Sequence, residues 1–135
     1  MSYARQMLDA YPRALVDSGV LAATIEALID CGQACTACAD ADLSERHVTE
    51  LVTCIRLNLD CADVCGATAR VVSRRPAYDA NVTRRLVKAC AAMCRACGDE
   101  CERHAAMHEH CRVCADACRR GEQACNELQI GRAHV

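Results

Sequence analysis

Apolar residues and cysteines return every three or four positions along most of this chain, with charged residues between them. An α-helix turns about 100° per residue, so such a spacing gathers one set of side chains on a single face. The pattern is clearest from Cys90 to Cys101, where thiols stand at 90, 94, 97 and 101. Soluble helices usually place Leu, Ile and Val on that stripe; here it is sulfur.

The same reading predicts four long helices. The first covers 18–41, with Ser18 as a candidate cap and Leu21, Ile25, Leu28, Cys31, Cys35 and Cys38 on one face. The second covers 44–73, opening at Ser44, His47 and Glu50, and carries His47, Leu51, Cys54, Asn58, Cys61, Cys65 and Val72 on one stripe. Arg74, Arg75 and Pro76 end it. The third covers 79–105, with Leu86 and Val87 leading into Cys90, Cys94, Cys97 and Cys101. A turn is expected within 105–109, although neither Gly nor Pro marks it. The fourth covers 109–128, with Cys111, Cys114, Cys118 and Cys125. Tyr3–Ala10 forms a short amphipathic piece broken before Pro12.

A weak internal repeat supports two similar hairpins. Cys31, Cys35 and Cys38 recur 59 positions later, and Cys54 and Cys61 recur 57 positions later. Short connections imply antiparallel neighbours. The expected fold is therefore all-α: an antiparallel four-helix bundle with a short N-terminal helix and a thiol-lined core. Residues 1–17 hold the short helix and linker, 18–128 the bundle and 129–135 a tail. One end of the bundle gathers Asp42, His47, His104, His108 and His110. The other gathers Leu21, Ile25, Val72, Leu86, Val87 and Leu128. A polar, imidazole-rich mouth thus faces an apolar plug.

Composition sharpens this picture. The chain has 135 residues, enough for one core, and 14 of them are Cys. Phe and Trp are absent, so small side chains fill the interior. A net charge of −2 gives no basic footprint for nucleic acid. No apolar run approaches the roughly 20 residues of a membrane span. The start, Met1 to Asp9, lacks an apolar signal core, so a cytosolic location is expected, where thiols stay reduced and serve metals rather than disulfides.

Thiols at i,i+4 on a helix have Cβ atoms about 5–6 Å apart, wider than the about 3.5–4.5 Å of a disulfide. A metal ion bridging two sulfurs suits that gap, and Cu(I) is soft and favours thiolate. A continuous lining lets each sulfur bridge two ions, which makes a container rather than a single site. Other readings fit less well. Cys31-x3-Cys35-x2-Cys38 and Cys90-x3-Cys94-x2-Cys97 match the cluster motif of radical enzymes using S-adenosylmethionine, but that chemistry needs a far larger α/β barrel. A structural zinc site needs only four ligands, so zinc or another soft metal remains the alternative. A metal-free cysteine core does not explain matching stripes on four helices, and no lone attacking thiol suggests a redox enzyme. Catalysis is not expected.

All 14 cysteines are candidate metal ligands, with His104, His108 and His110 as candidate ligands or entry groups. Met93 and Met107 read mainly as filling, Asn58 as a core hydrogen-bonding group, and His134 as tail. The stripes, together with His104-x3-His108-Glu109-His110-Cys111-x2-Cys114-x3-Cys118, resemble the cytosolic copper storage proteins of bacteria over about residues 20–128. That resemblance implies many Cu(I) ions per bundle, held by Cys pairs and entering at the polar mouth. It also implies homotetramers and delivery from a copper chaperone. Gly121 departs from the family pattern, which carries another Cys near that turn.

Overall fold

The computed structural model describes residues 2–12, 18–74 and 80–133, with side chains to Gln129. Four long helices carry the chain: α2 (Ser18–Leu43), α3 (Val52–Ser73), α4 (Ala80–His104) and α5 (Glu109–Ala133). A short α1 (Tyr3–Asp9) precedes them, and one 3-10 turn, Val48–Leu51, leads into α3. α2 packs on α3 and α5, and α4 packs on the same two, so the four close a square with antiparallel neighbours.

The helices form because their buried positions keep the helical period. α2 buries Leu21, Ile25, Leu28, Cys31, Cys35 and Cys38, and α4 buries Val87, Cys90, Cys94, Cys97 and Cys101. Leu21, Leu28, Val72, Val87 and Leu128 close the end opposite the histidines. Thr24 and Thr68 are buried there too, and each hydroxyl donates to the carbonyl four residues back, Val20 at 2.8 Å and Val64 at 2.7 Å. Those local bonds spare the plug an unpaired polar group. Small residues bring helices close. A Cβ at Gly98 would meet Cys118 Cβ at 3.2 Å, so glycine there sets the α4–α5 approach.

α1 docks on α2 through a polar clasp. The Ser2 hydroxyl accepts from Arg5 N–H and donates to Glu26, while Arg5 pairs with Glu26 at 2.9 Å. Leu8 is buried against the bundle beneath it.

Several boundaries differ from the sequence reading. Residues 44–47 turn and 48–51 form the 3-10 segment, so α3 begins at Val52 rather than 44. The Ser44 hydroxyl donates back to Asp40 O, closing α2 instead of opening α3. α5 continues past 128 to Ala133, through most of the expected tail. α2, 26 residues long, is apolar enough to cross a membrane by length and composition, contrary to the sequence reading. Its apolar face is packed inside the bundle, as expected of a core helix. Pro76, His134 and position 79 lie outside the described residues.

Candidate metal centre

Each long helix delivers its cysteines to the common axis, and all fourteen are free thiols, buried to within 1 % exposure. Within a helix, Cys31–Cys35 and Cys61–Cys65 have Sγ atoms 3.9 and 3.8 Å apart. Between helices, Cys65–Cys94 stand at 3.5 Å, Cys35–Cys114 at 3.7 Å and Cys31–Cys118 at 3.8 Å. These contacts form an unbroken path. It runs from Cys90 through Cys65, Cys61, Cys31 and Cys118 to Cys35, Cys97 and Cys114. Cys114 lies within 4.8 Å of Cys38 and Cys101, which continue the path toward the mouth. With metal–sulfur bonds of about 2.3 Å, a trigonal ion needs sulfurs about 4.0 Å apart. The native spacings approach that distance, so ions fit between thiols with little movement.

Asn58 is the one buried amide inside this lining. Its Oδ1 accepts from Cys97 at 3.1 Å and Cys114 at 3.2 Å, and its amide donates to Cys54 at 3.5 Å. It orders thiols on three helices at once. Gly121 also faces the core. A Cβ there would meet Cys94 Sγ at 3.1 Å and Cys31 Sγ at 3.6 Å, so its missing side chain leaves space between two sulfurs.

Crowding divides the thiols into two kinds. Cys38 is pushed down because Cys101, Cys114 and Cys54 can donate to its thiolate. Cys101 is correspondingly pushed up by its bonds with Cys114, Cys38, Cys54 and Cys97. Burial, aided by the charges of Cys38 and Asp42, pushes Cys111 up as well. A thiol must give up its proton to ligate a metal, so binding at such an array is coupled to proton release.

The mouth is built from the α2–α3 and α4–α5 turns. His108 Nδ1 meets Glu45 at 2.7 Å and His110 Nε2 meets the same carboxylate at 2.9 Å, with the two rings stacked. His110 Nδ1 turns inward, 3.4 Å from Cys38 Sγ. Burial pulls the His110 pKa down, but its bonds to Cys38 and Glu45 outweigh this and raise it. Asp42 is fully buried, and burial raises its pKa. His104 does not join the Glu45 pair but meets Glu100 at 2.9 Å, and its carbonyl accepts from His108 N–H at 3.0 Å. His47 is exposed, because the 3-10 turn takes it off the α3 stripe. Met93 packs against the core, whereas Met107 is exposed. Sequence reasoning missed Glu45 and Glu100. The i,i+4 spacing of Glu100 and His104 was a usable signal; Glu45 reaches across 65 positions and had none.

Comparison with known proteins follows the same lines. The model of the copper storage protein family, Csp, matches residues 18–130. This chain belongs to that family. The copper storage protein Ccsp of Streptomyces lividans, in a structure loaded with 10 copper equivalents, is 60% identical with a TM-score of 0.91; the match covers 95% of this chain and 98% of that one. A second structure of that cytosolic protein, with five coppers, is 63% identical with a TM-score of 0.81, covering 83% and 93%. The Cu(I)-bound copper storage protein BsCsp3 is more distant, at 36% identity and a TM-score of 0.71, covering 79% and 95%. A cysteine-rich protein of Bacillus subtilis, YhjQ, is 38% identical over 88 residues, 65% of this chain and 76% of its own length. Membership in the copper storage protein family accounts for a bundle whose interior is thiol where other bundles are aliphatic.

Proposed function

We propose that this protein stores and buffers Cu(I) in the cytosol, holding many ions on cysteine thiolates inside the bundle. The observation that carries the reading is the unbroken path of buried Sγ contacts at 3.5–3.9 Å. A path of this kind lets sulfurs bridge successive ions, which a single site does not require. The fourteen cysteines are the principal ligands. His104, His108 and His110 receive ions at the mouth and pass them inward, since imidazole binds Cu(I) more weakly than thiolate does. Copper is cargo here, taken from a chaperone, and the working unit is a homotetramer.

The test is a Cu(I) titration of reduced protein against a competing chelator. Capacity on the order of one ion per cysteine, about 14, is expected. Saturation at one to four ions means a discrete site and overturns the storage reading. The port is tested by replacing His104 and His108 with Phe together. Transfer from a Cu(I) chelate should slow while capacity falls only slightly; unchanged rates place entry elsewhere. Light scattering on the purified protein checks the tetramer.

A further inference from the structure

Four donor atoms of three kinds converge just inside the mouth: Cys38 Sγ, Cys111 Sγ, His110 Nδ1 and Asp42 Oδ1. The sulfurs are 3.9 Å apart. His110 Nδ1 lies 3.4 Å from Cys38 Sγ, 3.7 Å from Cys111 Sγ and 3.6 Å from Asp42 Oδ1. Cys111 Sγ lies 3.6 Å from Asp42 Oδ1, and Cys38 Sγ lies within 4.8 Å of an Asp42 oxygen. A tetrahedral ion with metal–sulfur bonds of about 2.3 Å and metal–nitrogen or –oxygen bonds of about 2.0–2.1 Å needs edges of about 3.8 Å between sulfurs and about 3.3–3.6 Å for the rest. The five edges other than Cys38–Asp42 match those figures within a few tenths of an ångström.

The second observation is an orphan. Asp42 is fully buried, and its Oδ2 is the one buried side-chain oxygen or nitrogen without a hydrogen-bond partner among the described residues. A buried carboxylate oxygen left without a partner is costly, and a cation at this position would supply one. Cu(I) is a poor candidate for that role, because carboxylate oxygen is too hard a donor for it. A borderline divalent ion accepts sulfur, imidazole and carboxylate together.

We propose that Cys38, Asp42, His110 and Cys111 form a separate tetrahedral site for one zinc-class divalent cation at the entrance to the thiol core. The inner quartets, such as Cys31, Cys61, Cys65 and Cys94, offer sulfur alone and remain with the soft ion. The site draws Cys38 and Cys111 from the thiols assigned to Cu(I), and what sets it apart is the Asp42 oxygen, a donor that Cu(I) does not favour.

The test titrates reduced, metal-free protein anaerobically with Co2+ as the optical probe, then with Zn2+. One Co2+ per chain should give the intense visible bands of a tetrahedral site with sulfur ligands, and Zn2+ should bleach them. Asp42→Asn and His110→Ala should each weaken Co2+ binding at least about tenfold. Circular dichroism checks that both variants keep their helices. Parallel Cu(I) titration of Asp42→Asn should stay within one ion of the parent. Co2+ binding equal in parent and both variants places the ion on an all-sulfur quartet and overturns the proposal. Absence of tetrahedral bands also overturns it. Failure of Cu(I) capacity in the parent itself would fall on the storage reading alone.

Discussion

Single residues in this core act through the sulfurs they order or make room for. Asn58 holds thiols from three helices in hydrogen bonds, so its loss leaves several weak donors unpaired. Asn58→Ala should destabilise the metal-free protein by about 2 kcal/mol, read from chemical denaturation, while copper capacity stays nearly unchanged. Gly121 poses an opposite case. Alanine there gains about 1 kcal/mol of helix propensity, but its methyl group must push against Cys94 Sγ. Metal-free Gly121→Ala should therefore keep close to the parent's stability and take up at least one Cu(I) fewer. A full parental capacity would show that the space beside Cys94 holds no ion.

At the scale of elements, the clasp between α1 and α2 is sensitive to pH. The Ser2 hydrogen bond, with help from Arg5, holds the Glu26 carboxyl below its ordinary range. A depressed carboxyl pKa stabilises the folded state above the unfolded value of about 4.3 and loses that contribution as pH falls through the folded one. Amide protection in α1 should thus drop in acid ahead of the four long helices, and Glu26→Gln should show the same loss at neutral pH. The long helices themselves were legible from sequence, because a stripe repeating every 3.6 residues leaves few other folds open. Cys90–Cys101 and Cys31–Cys38 were both read correctly as buried faces. The α2–α3 turn was not, since Ser44 resembles an opening cap while its hydroxyl closes the preceding helix. The extension of α5 was missed because nothing periodic follows Leu128, yet adding turns to a packed helix costs little. Glu45 of the mouth escaped for another reason: it meets His108 and His110 only once both hairpins are assembled.

For the whole molecule, the plug and the four packed stripes should fold the bundle before any copper arrives. Circular dichroism of reduced metal-free protein should already be strongly helical; a coil that orders only with Cu(I) would contradict this. Burial at Cys111 and the bonds among neighbouring thiols at Cys101 favour the protonated form, so loading should release protons, and apparent affinity should rise with pH. A pH-stat titration reads that release directly. The bundle is also polar at one end and closed by Leu21, Leu28, Val72, Val87 and Leu128 at the other. A vessel with a single opening has a memory of filling order. If protein is half-filled with one stable copper isotope and topped up with a second, a brief treatment with chelator should recover mainly the second. The oldest copper, deepest against the plug, should leave last.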